Sequence, residues 1–211
     1  MTRLLVLGTR TFAVEVADLA ADAGFEIAGF VENLDRERCR EPLEGVPVHW
    51  VDEVACLAST HRAICGLATT RRHVFAEQVE ALGLGFATLV HPSARVSGSA
   101  TIGEGSIVSA GAVVGARTVI GRHVILNRGA LVGHHTEIGD YVSVQPGANV
   151  AGACRIGERT YVGMGSIVLD HLTVGTGTVV GAGAVVTKDV PDRVQVVGVP
   201  ARVVKEEVEE R

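Results

Sequence analysis

Aromatic residues are scarce in this chain of 211 residues: one Trp, two Tyr and five Phe, 4% in all. A core of packed rings is thereby excluded, and the apolar volume has to come from Val, Ile, Leu and Ala. Cysteine is also sparse. Cys39, Cys56, Cys65 and Cys154 form no CxxC and no regular framework, which excludes a disulfide scaffold and leaves the reduced, mostly buried thiols of a cytoplasmic protein. Basic runs are missing and the formal charge is −5, so a nucleic-acid surface is not expected. No apolar run approaches membrane-spanning length, and the start, MTRLLVLGTR, lacks the long apolar core and cleavage site of a signal peptide. The charged end KEEVEER reads as a solvated tail. What the chain has in plenty is glycine, 26 residues.

Much of that glycine belongs to a repeat. From residue 100 to 189 the chain divides without insertion into fifteen sixes, from ATIGEG to AVVTKD. Their third position is aliphatic throughout, as at Ile102, Val108, Leu126, Val132, Val150 and Val186, and Val96 and Val90 extend the register backwards. A period of six fits neither the 3.6 of a helix nor the 2 of an ordinary strand, and it is a signature of a β-helix. Three sixes make one triangular coil, each aliphatic residue pointing inward. The first position is usually small (Ala112, Ala130, Ala148, Ser166), and the fourth is Gly in nine of the fifteen, where a turn with positive φ is expected.

Residues 18 apart therefore lie one above another, about 4.8 Å apart. His134 falls over Gly152, Asn127 over Gln145 and Gly163, and His135 over Ala153 and His171. The fourth-position glycine is replaced at Asn127, Gln145, Ala151 and Leu169, all in one central zone. Local breaks in a consistent pattern are where function is expected.

The first ninety residues alternate strands with helices. Strands are expected at 3–8, 27–31, 63–68 and 86–90, with a short one ending at Trp50; helices are expected at 11–23, 51–58 and 71–82. This is a small parallel α/β unit, similar to a truncated Rossmann domain. Such sheets bind ligands beyond the carboxyl ends of their strands, which nominates Gly8, Thr9 and Thr11 after the first strand and Glu32 and Asn33 after the second. The loop GTRTF lacks the second and third glycines of a dinucleotide fingerprint, so NAD binding is disfavoured. Backbone N–H groups at the helix start can still meet a phosphate; equally, Gly8 can serve the turn alone.

The segments GFVEN (29–33), HPSARVSGSATIGEGSIVSAGAVV (91–114), ILNRGALVGHHTEIGDYVSVQPGANVAG (125–152) and VVGVPARVV (196–204) resemble the hexapeptide-repeat acyltransferases with a left-handed β-helix. More narrowly, the whole chain is similar to the bacterial sugar acyltransferases that carry a small α/β domain ahead of the helix: the nucleotide-aminosugar N-acetyltransferases and sialic acid O-acetyltransferase-like proteins. The resemblance implies three segments: a Rossmann-like domain for the sugar nucleotide at 1–87, an all-β left-handed parallel β-helix at 88–190, and a C-terminal extension near coenzyme A at 191–211. It implies acetyl-CoA as co-substrate, a nucleotide-linked sugar as acceptor, and a homotrimer with active sites between subunits.

Site residues follow from the same resemblance. His134 corresponds to the family's general base, and Asn127 keeps its spacing to it; Gly152, one coil along, offers its N–H to the thioester carbonyl. Pantetheine is expected past Gly152 and Ala182, with Lys188, Pro200 and Arg202 toward the nucleotide end of coenzyme A. Glu32 and Asn33 occupy the place of an acidic pair that holds the nucleotide or sugar. Two departures stand out: His135 sits where relatives often carry an acidic residue, and Ser143 where many carry a second His. His135 is itself an alternative base. The imidazoles of His123, His135 and His171 are expected to face outward, without the H-x4-H spacing of the β-helix carbonic anhydrases, so no metal is expected; His91 and His123 are expected to cap corners or meet solvent. The expected reaction is direct N-acetylation of an amino sugar. O-acetylation of a sugar hydroxyl is the alternative, and a non-catalytic or metal-binding β-helix is the reading from another class.

Overall fold

The computed structural model describes residues 2–209, so Met1 and the last two residues of the charged tail, Glu210 and Arg211, lie outside the described residues. The chain forms two compact units, one of Met1–Ala68 with Arg72–Pro92, the other of Thr69–Arg71 with Ser93–Arg211.

In the first unit, strands β1 (Arg3–Leu7), β2 (Glu26–Glu32), β3 (Val48–Trp50) and β4 (His61–Cys65) form a sheet in the order β3-β2-β1-β4, every pair parallel. The run Leu4–Leu7 is wholly buried because it lies at the centre of the sheet. Helix α1 (Thr11–Asp22) buries Ala13, Val16, Ala17 and Ala20, and α2 (His73–Ala81) buries Phe75, Ala76 and Val79. Two expected helices come out shorter or tighter: 51–57 is a 3₁₀ helix, and a 3₁₀ turn at 70–72 precedes α2. The expected last strand contributes an isolated parallel bridge, Phe86 to Ala63, and a two-residue strand, Leu89–Val90.

The carboxyl ends of β1 and β2 are neighbours. Leu7 pairs with Val31, and the Gly8 N–H donates to the Val31 carbonyl at 2.8 Å. Beside β4, Gly66 accepts the start of α1 so closely that a Cβ there would stand 2.7 Å from the Ala13 Cα. The strand order reverses between β1 and β4, and the candidate loop at Gly8–Thr11 rises from that point.

The second unit is a left-handed parallel β-helix. Three sheets of two-residue parallel strands run along it. One holds Thr101–Ile102, Val119–Ile120, Glu137–Ile138, Arg155–Ile156 and Thr173–Val174; the second holds Ile107–Val108, Ile125–Leu126, Ser143–Val144, Tyr161–Val162 and Val179–Val180; the third runs from Arg95–Val96 through Val113–Val114, Leu131–Val132, Asn149–Val150 and Ile167–Val168 to Val185–Val186. Register is held at 18 residues throughout, with ladder bonds such as Val113 N–H to the Ala130 carbonyl at 2.9 Å. The third-position residues from Val108 to Val186 are buried in one continuous column, and Ile102 packs against its end. Each fully buried Val or Ile stabilises by about 1.5–3 kcal/mol, which is how so few aromatics suffice.

First-position side chains lie under the strands, and their polar atoms bond to the coil beyond. Ser106 donates to the Gly121 carbonyl, Thr118 to Gly133, Thr136 to Ala151 and Thr160 to Gly175, at 2.6–2.9 Å. Cys154 copies the pattern with its thiol, donating to the Leu169 carbonyl at 3.1 Å, and burial pushes that thiol's pKa up.

The expected positive φ at the fourth position is not found there. The left-handed residues occupy the sixth: Gly111, Arg117, His123, His135, Tyr141, Ala153, Arg159 and His171 among them. Fourth-position glycines instead allow the coils to touch. At Gly133 a Cβ would stand 2.5 Å from the Gly152 nitrogen, leaving no room for any side chain.

Beyond the repeat, Gln195–Val197 pairs in parallel with Val179–Val180, and Arg202–Lys205 returns antiparallel to it.

Candidate active site

The corner following strand Leu131–Val132 carries Gly133, His134 and His135. Gly133 presses against the next coil, so His134 leaves the corner directly above Gly152. The contact is close: a Cβ on Gly152 would lie 2.7 Å from Cε1 and 2.9 Å from Nε2 of the His134 ring. Glycine is thus required at 152 for the ring to seat where it does. The Gly152 carbonyl accepts the His171 N–H at 3.0 Å, while among the described residues the Gly152 N–H has no protein acceptor. His134 and His135 are both exposed, and their Nδ1 atoms are 3.0 Å apart. A base and an unengaged backbone donor on adjacent coils is an arrangement that can serve acyl transfer.

The first unit gathers a separate cluster. The Thr9 hydroxyl donates to Glu32, whose other oxygen accepts the N–H groups of Asn33, Leu34 and Asp35 at 3.0, 2.9 and 3.3 Å. Burial opposes ionisation of Glu32, but the Thr9 hydroxyl and these three N–H groups outweigh it and hold the carboxyl below its usual range. Most of the carboxylate's capacity is therefore spent on shaping its own loop. The Asn33 amide donates to Gln78 at 3.0 Å. Thr11 opens α1, exposed, with no side chain capping the helix.

The bacterial transferase hexapeptide family matches residues 117–152 and 153–188. No curated protein matches the sequence. Among solved structures, the acetyltransferase domain of PglB from Neisseria gonorrhoeae FA1090 is 34% identical over 97% of this chain and 100% of that one, with a TM-score of 0.88. This chain belongs to the hexapeptide-repeat acetyltransferases. A mutant of perosamine N-acetyltransferase from Caulobacter crescentus, in complex with CoA and GDP-perosamine, is 30% identical over 96% and 97% of the two chains, at a TM-score of 0.89. WeeI from Acinetobacter baumannii AYE is 28% identical over 97% and 100%, at 0.86.

Not every nominated residue of this acetyltransferase meets His134. Asn127 follows strand Ile125–Leu126 and so sits at the preceding corner of the prism, one whole face away. It is buried, and its Oδ1 accepts the Arg128 N–H at 2.8 Å. The 18-residue rule aligns positions along a corner; it does not bring two corners together. Ser143 is fully buried on another sheet, between Ile125 and Tyr161. His123 does not face solvent as expected: it is fully buried, stacked on Tyr141 with centroids 4.9 Å apart, with Gly105 leaving space on its other side. His91 meets Asp22 at 3.2 Å.

Lys188 shares the His134 corner, three coils on, and thus about 14 Å along the axis. With Arg202 it lines a cavity of about 270 Å³ near the end of the helix. Pro200 lies exposed in the turn before strand Arg202–Lys205, and Ala182 lies at the Asn127 corner. Among the described residues no three His, Cys, Asp or Glu side chains converge as a metal site, and no helix is long and apolar enough to cross a membrane.

Arg38 was not legible in the sequence. Its guanidinium donates to both the carbonyl and the hydroxyl of Thr9, at 3.2 and 3.3 Å, placing a cation at the strand ends. It arrives on a 3₁₀ turn, 36–40, that no periodic pattern announces.

Proposed function

We propose that this enzyme transfers the acetyl group of acetyl-CoA to the amine of a nucleotide-linked amino sugar. Sugar acetyl transfer is supported by the relatives, one of which is a structure with CoA and GDP-perosamine and another a structure with acetyl coenzyme A. The observation that carries the mechanism is the His134 ring seated on Gly152, whose N–H is unengaged.

The amine nitrogen attacks the thioester carbonyl carbon and forms the new C–N bond. Negative charge gathers on the carbonyl oxygen, where the Gly152 N–H stabilises it. His134 takes the amine's proton at Nε2. As the C–S bond breaks, that proton passes to the leaving thiolate, and the enzyme is restored without a covalent intermediate. Buried Cys154, its thiol bonded to a carbonyl and its pKa raised by burial, is no competing nucleophile. His135 in place of a carboxylate favours an amine over a sugar hydroxyl, which leans harder on the base.

In this reading Gly8, Thr9, Thr11, Asn33 and Arg38 receive the nucleotide portion, with Glu32 fixing their loop. Lys188 and Arg202 meet phosphates of coenzyme A near Pro200, and the pantetheine passes Ala182 and Gly152. Domain limits of 1–87, 88–190 and 191–211 and a cytoplasmic location belong to the same proposal. So does a homotrimer: a second copy is the simplest way to bring the Asn127 corner to the His134 corner, because one chain holds them a prism face apart.

Incubating the purified protein with acetyl-CoA and a panel of nucleotide sugars, with and without an amino group, tests the substrate class. His134→Ala is expected to abolish turnover while coenzyme A still binds. Full activity in that variant overturns His134 as base, and acetylation only of hydroxyl sugars overturns the amine as acceptor.

A further inference from the structure

His134 and His135 do not stack. Their rings meet edge to face, 85° apart with centroids separated by 5.2 Å, and this brings Nδ1 of one to 3.0 Å from Nδ1 of the other. Two imidazole nitrogens at that distance share one hydrogen: two N–H groups would repel, and so would two lone pairs. Neutral His134 and His135 are therefore of opposite tautomer, one protonated at Nδ1 and the other at Nε2.

We infer that His135 is a positioning residue which accepts the Nδ1–H of His134 and thereby leaves the His134 lone pair at Nε2, facing the acceptor. The inference rests on the reading of His134 as base, and the chemistry of that step fixes the direction. Once His134 has taken a proton at Nε2, both its nitrogens carry hydrogen, so its Nδ1 can only donate. Neutral His135 can receive that bond, which becomes charge-assisted as the imidazolium forms. The opposite arrangement, His135 donating, puts a hydrogen on Nε2 of His134 beforehand and blocks the very atom that must accept one.

The position of His135 is fixed by the coil and not by the reaction. Its backbone is left-handed, φ 57°, and its N–H donates to the Ala116 carbonyl at 2.9 Å. The turn thus carries the acceptor to a set place beside its neighbour. His135 does for the tautomer what a carboxylate can do, without placing a negative charge on the site.

His135→Gly removes the acceptor and suits the left-handed turn, since Gly occupies the same position at Gly129 and Gly147; the fold is therefore kept. His135→Asn restores an acceptor near the same point and also tolerates that φ. With ¹⁵N-histidine labelling of the unliganded protein near pH 8, His134 is expected to show hydrogen on Nδ1 in the wild type and in His135→Asn, and on Nε2 in His135→Gly. In steady state, kcat of His135→Gly should fall by about tenfold, the worth of one charge-assisted bond, with KM for acetyl-CoA unchanged and most of the loss restored in His135→Asn. An Nε2–H tautomer in the wild type, or an unchanged tautomer or kcat in His135→Gly, overturns the inference. The tautomer is read without turnover, so the base role can fail in His134→Ala while this assignment stands, and the reverse.

Discussion

Gly133 and Gly152 look alike in the sequence and do different work. A Cβ at Gly133 would run into backbone, 2.5 Å from the Gly152 nitrogen and 2.6 Å from the Ala151 carbonyl carbon, so two coils would have to separate. A Cβ at Gly152 would meet the side chain of His134, which can swing aside. Gly133→Ala is accordingly expected to cost about 1–3 kcal/mol of stability, the usual price of overpacking, read as a lower denaturation midpoint. Gly152→Ala should keep the midpoint near that of the wild type and lose about a hundredfold in kcat/KM, the scale of displacing a general base. If Gly152→Ala keeps full activity, the ring's seat on residue 152 does not matter to catalysis.

At the scale of the element, the loop after β2 folds around one carboxylate. Glu32 is ionised more easily in the folded protein than in the unfolded chain, because its N–H and hydroxyl donors outweigh burial. A carboxyl with a depressed folded pKa contributes stability above its unfolded value, 4.5, and loses it as pH falls through the folded one. Denaturant midpoints measured from pH 6 downward should therefore fall more steeply for the wild type than for Glu32→Gln, and the gap between the two should close as the acid limit is reached. Parallel curves would mean that Glu32 is not held by its loop. This cluster was half legible. The strand ends and Gly8, Thr9, Glu32 and Asn33 follow from the alternation of buried runs and turns, whereas Arg38 comes from a 3₁₀ turn with no periodic signal. In the repeat, the 18-residue register placed His134 over Gly152 because parallel coils permit no other stacking. It could not place Asn127, since distance between corners is set by the width of a face and not by the period. The left-handed position differs from the expected one for a related reason: Gly at the fourth position is selected by contact between coils, while the sixth mixes Gly105, Gly111 and Gly129 with Arg117, His135 and Tyr141 at the same positive φ, so its glycines are diluted by residues that tolerate the turn. The Nδ1 contact of His134 and His135 depends on rotamers, which no pattern of residues encodes.

For the whole molecule, one prism face stands apart from the others. Down its centre run Val113, Leu131 and Ile167, at 39%, 40% and 39% exposure, with Asn149 between them in the same ladder. Exposed aliphatic residues in register on a rigid sheet offer a surface for another copy. This face also separates the Asn127 corner from the His134 corner, so a second chain that covered it would lie between both corners. A closed three-fold ring covers it in every copy with a single repeated contact. Sedimentation of the wild type should then give a mass near three times the 22.0 kDa of the chain. Leu131→Lys puts a charge in the middle of the stripe, on a side chain that points away from the core, so the fold should survive. It is expected to sediment as a single chain, keep its far-ultraviolet spectrum, and lose acetyl transfer along with coenzyme A binding. A wild type that is fully active as a single chain would place the entire reaction on one prism, and Asn127 would then have no part in it.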